Sequence, residues 1–107
     1  MRKISLLAAN ALLGGNSFRR DNTIVENNAM YLFDNTIAYW ENRKMYISCA
    51  GYPTKTTMER LNTLLYRIGR GERLRIRRGT MYYGDRTVSP YIWIEVAQYT
   101  RPTCIYE

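Results

Sequence analysis

Arginines are concentrated in one short part of the sequence. Six of them fall within twelve residues, and the same stretch contains a single carboxylate, Glu72, and no lysine. They are Arg67, Arg70, Arg73, Arg75, Arg77 and Arg78. A guanidinium group presents a planar fork of N–H donors that binds phosphates and carboxylates bidentately. The cluster therefore indicates a surface that binds anionic groups.

Part of this cluster alternates with apolar residues. Leu74 and Ile76 lie between Arg73, Arg75 and Arg77, which predicts a half-buried strand with arginines on its outer face. Side chains on one face of a strand are roughly 6–7 Å apart at each step. This spacing matches that of successive phosphates, so a nucleic-acid backbone is one ligand that the strand could follow.

Tyrosines lie close to the cluster in sequence. Of ten in the chain, Tyr66, Tyr82 and Tyr83 are its nearest neighbours. Aromatic rings stack on nucleobases in proteins that bind single strands. We therefore predict a binding site formed by the six arginines and Tyr82, with nucleic acid or a nucleoprotein as its partner.

Two other uses of the arginines remain open. The same guanidinium forks suit the acidic surface of another protein, or a contact between copies of this chain. Alternatively, the arginines form a solvated outer face, which prevents sheet edges from aggregating.

The sequence offers no recognisable catalytic or metal-binding arrangement. It has no histidine, which excludes Ser-His-Asp and Cys-His schemes and most zinc sites. The carboxylates are scattered, and Cys49 and Cys104 have no CxxC spacing. We therefore predict a binding protein without a cofactor or metal, and not an enzyme. The hydroxyls of the loop at residues 51–57 either hold an anion at a helix N-terminus or only cap that helix.

The apolar pattern predicts an α+β domain. Helices are predicted at residues 2–13 and 57–68, the second with a capping box formed by Thr56 and Glu59 and a left-handed stop at Gly69. Four polar residues of that helix are expected to fall mostly on its other faces, Arg60, Asn62, Thr63 and Arg67. Short strands are predicted at 23–26, 30–33, 36–40, 44–49, 73–77, 80–83 and 91–96. We expect one antiparallel sheet with both helices packed on one face.

Length and charge set further limits. The 107 residues form one domain, which we place at residues 1–96, with a loose tail at 97–107. The net charge of +7 and the pI of about 9.7 favour polyanionic partners. No apolar run is long enough to span a membrane, so no membrane partner is expected.

The run from Asn22 to Leu64 resembles a family of small proteins of tailed bacteriophages. Members typically have an Asn-Thr pair, an Asn-x-Ile-Ala strand, an Ala-Gly-aromatic-x-Thr-x-Thr-Thr loop and a Glu-Arg-Leu-Asn segment. The matching residues here are Asn35, Ile37, Ala38, Ala50, Gly51, Tyr52, Thr54, Thr56, Thr57, Glu59, Arg60, Leu61 and Asn62. The basic segment from Tyr66 to Arg73 departs from the family pattern. The resemblance implies a phage origin and a place in the host cytoplasm, and it supplies no catalytic residues.

Together these features predict a small phage accessory protein that acts by stoichiometric binding. Its expected target is nucleic acid or a nucleic-acid-bound host enzyme, in host takeover or counter-defence. The alternative is a protein-only inhibitor or a self-assembling interaction module. The two differ in their response to salt, because phosphate contacts release counterions.

Overall fold

Two helices and nine strands make up the part of the chain that the computed structural model describes, residues 2–69 and 71–98. The helices are α1 (Lys3–Gly14) and α2 (Lys55–Arg67). The strands are β1 (Phe18–Arg20), β2 (Thr23–Glu26), β3 (Ala29–Leu32), β4 (Asn35–Glu41), β5 (Lys44–Ile47), β6 (Leu74–Arg77), β7 (Thr80–Tyr83), β8 (Arg86–Thr87) and β9 (Ile94–Gln98). The last strand reaches into the segment predicted as a tail, and residues 99–107 lie outside the described part. No described helix is long and apolar enough to cross a membrane.

The predicted α+β class is confirmed, with the difference that the strands form two sheets. One sheet has the order β1-β2-β3-β4-β5-β9, the other β6-β7-β8, and every pairing is antiparallel. The strands divide into two sheets, and not one, because β9 returns to pair with β5. In the described part of the chain, the three strands between α2 and β9 pair with one another. Strands β1 and β8 were not predicted, since two or three residues are too few to show alternation.

Both helices pack on one face of the six-stranded sheet. Alternate residues of the central strands, such as Met30, Met45 and Ile47, are fully buried on that face. Leu12 of α1 and Leu61 of α2 are buried with them in a single hydrophobic core. Helix packing therefore explains why the inward positions are apolar, as the predicted arrangement requires.

Two-residue turns set the register of the hairpins. Both turn residues have positive φ at Asn27-Asn28, Phe33-Asp34, Asn42-Arg43 and Arg78-Gly79. Such turns match the right-handed twist of the flanking strands. The last of these turns joins β6 to β7.

Helix α2 begins earlier than predicted. Its N-cap is Thr54, whose Oγ1 accepts a hydrogen bond from the Thr57 N–H at 3.2 Å. The predicted capping box of Thr56 and Glu59 was therefore wrong, because the chain already turns into the helix directly after Pro53. Glu59 instead accepts from the Arg2 backbone N–H at 2.9 Å and ties the start of α1 to α2. The left-handed stop at the C-terminal end is confirmed, since Gly69 has φ +82°.

Arg60 of α2 is buried, with 1% of its surface exposed, although the sequence placed it outside the apolar face. Its Nε donates to Thr23 Oγ1 at 3.1 Å and its Nη1 to Ser5 Oγ at 2.6 Å. Glu59 Oε1 lies 3.6 Å from the same Nη1. Burial lowers the pKa of the Arg60 guanidinium. Arg60 thus joins α2, α1 and β2, and its role is structural. Thr63 is also buried.

Candidate nucleic-acid interface

Strands β6 and β7 form a hairpin that carries most of the predicted site. We call residues 74–83 the arginine hairpin. In its ladder Arg75 pairs with Tyr82 and Arg77 pairs with Thr80, and Arg78 and Gly79 form the turn. Alternate residues of a strand point to the same face, so Arg75 and Arg77 lie on one face of the hairpin, together with Tyr82 and Thr80 opposite them.

The two ends of the hairpin differ in burial. Leu74, Met81 and Tyr83 are buried in the core on the face opposite to Arg75. All six residues from 75 to 80, the hairpin tip, are exposed. The predicted half-buried strand is therefore right at Leu74 and wrong at Ile76, which is 44% exposed. Its cross-strand partner Met81 is buried, so the apolar face of the hairpin leaves the core at this pair of residues.

A side chain of α2 fixes the base of the hairpin. The Asn62 amide accepts from the Leu74 N–H at 2.8 Å and donates to the Leu74 carbonyl at 2.9 Å. This pair of bonds replaces the neighbouring strand that β6 lacks on its outer edge. The sequence does not indicate this role, because a polar residue beside the apolar stripe of a helix usually faces solvent.

The structure brings four of the six predicted arginines together. Arg73, Arg75, Arg77 and Arg78 are all exposed, and no described carboxylate lies within 4 Å of any of them. Arg73 directly precedes β6, and its carbonyl accepts from the Gly84 N–H at 3.0 Å. By alternation it extends the face of Arg75 and Arg77.

One predicted arginine of the described part is not in this group. Arg67 lies at the end of α2, where its Nε donates to Asn10 Oδ1 of α1 at 2.9 Å. It therefore contributes to the contact between the helices. Arg70 lies outside the described residues.

The tyrosines are less available for stacking than the sequence suggested. The Arg75 guanidinium lies 5.0 Å from the centroid of the Tyr82 ring, in a cation–π arrangement that covers one ring face. Tyr83 is buried, and the Arg86 guanidinium lies 5.5 Å from its ring centroid. Tyr66 is well exposed, but it belongs to α2 and not to the hairpin.

Arg86 is a basic residue of this region that the sequence analysis missed. It is exposed in β8 and pairs with Tyr83 across the ladder. The Gly84-Asp85 turn separates it from the arginine cluster in sequence. A two-residue strand leaves no alternation that could have marked it.

A second recess lies at the loop before α2. A cavity of about 230 Å³ is lined by Leu32, Phe33, Asn35, Ile37, Tyr52, Thr54 and Thr57. The Thr54 and Thr57 hydroxyls are 2.9 Å apart and hydrogen-bonded to each other, and the Thr54 Oγ1 also accepts from the Thr57 N–H at the start of α2. None of the described lining residues is charged, and both threonine hydroxyls are engaged in these bonds.

The described residues contain no group of three or more acidic, cysteine or histidine side chains placed to hold a metal ion. Cys49 is a free, buried thiol, and Cys104 lies outside the described part. The Cys49 Sγ is 3.7 Å from the Met81 sulfur and 3.9 Å from the Met58 sulfur. Burial raises the pKa of the thiol to about 11, so it stays protonated at neutral pH.

Comparison with known proteins identifies the family. No curated protein and no solved structure shows significant similarity to the chain. The model of the family described as Kyanoviridae Gp96 protein matches residues 1–100, which is nearly the whole chain. The predicted resemblance to a family of phage proteins is confirmed at this level. The chain belongs to the Kyanoviridae Gp96 protein family of phage proteins.

Proposed function

We propose that this phage protein acts by stoichiometric binding of nucleic acid, or of a host enzyme bound to nucleic acid, through the arginine hairpin. Such binding would serve host takeover or counter-defence in the cytoplasm of the infected bacterium. The observation that carries the proposal is a group of four exposed arginines that have no carboxylate partner among the described residues. They are Arg73, Arg75, Arg77 and Arg78.

The charge arrangement supports phosphate as the ligand. Arginines that only solubilise a surface commonly lie among carboxylates of the opposite sign, whereas the hairpin tip contains no acidic residue. Arg75 is further oriented by the Tyr82 ring, so less side-chain freedom is lost when it binds. A guanidinium held in this way suits bidentate contact with phosphate oxygens.

The hairpin can be tested by charge reversal. We expect the double variant Arg75→Glu and Arg77→Glu to bind labelled nucleic acid at least tenfold more weakly than wild type, measured by fluorescence anisotropy. A matched control is available in Arg19→Glu and Arg20→Glu. Like Arg75 and Arg77, these two arginines are exposed and belong to an edge strand, and their reversal changes the net charge by the same amount. Equal loss in both variants would show that only net charge matters and would contradict the proposal.

A protein-only role is the second candidate. Tyr91, Ile92 and Trp93 form a run of exposed apolar side chains, and Tyr91 is 75% exposed. Exposed apolar runs of this kind are typical of protein–protein contacts. A pull-down from host lysate with and without nuclease separates the two roles. Retention of one host protein after nuclease treatment, at high as well as low salt, would favour this candidate over nucleic acid.

A further inference from the structure

The hairpin tip is a two-stranded ribbon with neither face covered. Strand β8 pairs only with Tyr82 and Tyr83, and the Val88 N–H reaches the Met81 carbonyl at 3.0 Å. From Ile76 to Thr80 no third strand is present in the described part of the chain. This short ribbon is thus open on both faces and along both edges.

The outer edge of β6 offers backbone groups as well as side chains. The N–H and carbonyl of Leu74 point outward and are bonded to Asn62. Backbone groups alternate in direction along a strand, so those of Ile76 point to the same outer edge. No described element pairs with that edge beyond Leu74. The Ile76 N–H is therefore available to a phosphate oxygen.

The dimensions of the tip fit a groove of duplex DNA. Neighbouring strands lie about 4.8 Å apart, so a two-stranded ribbon with its side chains is comparable in width to a helix of about 10–12 Å. The major groove of B-form DNA is about 12 Å wide and 8.5 Å deep and admits either element. The strand from Arg75 to the turn at Arg78 spans about 10 Å, which is sufficient to reach the groove floor.

The charges of the tip point in several directions, unlike those of a single-strand channel. Arg75 and Arg77 share one face, while Arg78 lies in the turn at the end. Binding of single strands combines a basic groove with open aromatic rings. Here the Tyr82 ring lies against Arg75, and Tyr83 is buried. The hairpin therefore presents less open aromatic surface than the stacking platforms that bind single strands, since Tyr83 is buried and Arg75 covers one face of the Tyr82 ring.

We infer that the nucleic acid recognised is duplex DNA and that the hairpin tip enters its major groove. This inference rests on the proposed function and names its substrate class. Arg77 and Arg78, at the end of the ribbon, are placed to reach base edges. Arg73 and Arg75, nearer the base, are placed to contact phosphates at the groove rim.

Three probes of one sequence test the inference with the full chain: a 20-base-pair DNA duplex, the matching RNA duplex and the single DNA strand. The A-form RNA duplex carries a similar charge but has a deep, narrow major groove that side chains cannot enter. We expect the DNA duplex to bind at least tenfold more tightly than either other probe. Equal binding of the two duplexes, or preference for the single strand, would overturn groove entry and leave the proposed function standing. Binding to none of the probes would overturn both.

A turn variant provides a second test. Arg78 has φ +52°, and asparagine accepts that conformation, so Arg78→Asn removes the charge while the turn is preserved. Arg43→Asn is the matched control, since Arg43 occupies a turn of the same kind at φ +66° between β4 and β5. We expect Arg78→Asn to reduce affinity for the DNA duplex about tenfold and Arg43→Asn to leave it within about twofold. Equal effects of the two variants would overturn the assignment of Arg78 to the interface.

Discussion

The position of the arginine hairpin depends on Asn62, and replacing this residue tests that dependence. Its amide makes two hydrogen bonds to the Leu74 backbone, at 2.8 and 2.9 Å. In the variant Asn62→Ala both Leu74 groups lose their partner. A typical bond contributes about 1 kcal/mol to stability, and a partly buried group left unsatisfied costs about 1–3 kcal/mol. We expect the free energy of unfolding to fall by about 2–3 kcal/mol, because water can reach part of this site.

Urea denaturation and amide hydrogen exchange both measure the effect of Asn62→Ala. In urea denaturation, the midpoint should fall while the slope of the transition is unchanged. Amide hydrogen exchange then locates the effect. In wild type the Leu74 amide should be protected by Asn62, whereas the Ile76 amide, on the same outer edge, should exchange rapidly. In Asn62→Ala the Leu74 amide should exchange nearly as fast as that of Ile76.

The inner edge of β6 serves as the internal control. The Gly84 amide bonds to the Arg73 carbonyl inside the small sheet and not to Asn62. Its protection should fall only by the global loss of stability. If the Leu74 backbone N–H keeps its wild-type protection in Asn62→Ala, the Asn62 side chain does not take the place of a neighbouring strand. That result would refute our account of the hairpin base.

Three further predictions concern the body of the domain. Thr54→Ala should cost about 1 kcal/mol of stability and Thr56→Ala much less, because only Thr54 caps α2; equal urea midpoints for the two variants would contradict this. Burial raises the pKa of the Cys49 thiol to about 11 in the folded state. The protonated thiol therefore contributes its full stability below the ordinary pKa of a cysteine, and this stability is lost as the pH rises through the folded-state pKa. Wild type should therefore lose about 2 kcal/mol more than Cys49→Ala between pH 8 and 10.5; parallel pH profiles from denaturant melts would disprove it. Arg60→Ala should lower the free energy of unfolding by about 3–5 kcal/mol, because it leaves a cavity and removes the donor to the buried Thr23 and Ser5 hydroxyls. A thermal midpoint close to that of wild type would show that the hydrogen bonds of Arg60 contribute little.

The sequence was informative where local patterns determine structure. Leu61, Leu64 and Leu65 recur at helical spacing and all three are buried in α2. The Asn27-Asn28 pair, which favours positive φ, forms the turn between β2 and β3. Side-chain alternation also identified Leu74 as an inward residue. These features depend on near neighbours in the chain, so a single sequence contains the information.

Long-range contacts explain what the sequence did not indicate. Asn62 and Arg60 look like polar surface residues of α2, but their partners are Leu74, Thr23 and Ser5, from 12 to 55 residues away. The exposure of Ile76 depends on where the body of the domain ends. The Glu-Arg-Leu-Asn segment, which is part of the family resemblance, therefore supports the fold. The arginine hairpin is a separate, later segment of the chain.

The salt dependence of nucleic-acid binding tests the central claim most directly. The logarithm of the binding constant falls linearly with the logarithm of salt concentration, with a slope of about −0.9 for each duplex phosphate contacted. We predict that Arg73→Gln with Arg75→Gln reduces the magnitude of this slope by nearly two, while Arg19→Gln with Arg20→Gln leaves it unchanged. The same slope in wild type and both variants would contradict the claim that the arginine hairpin binds phosphates.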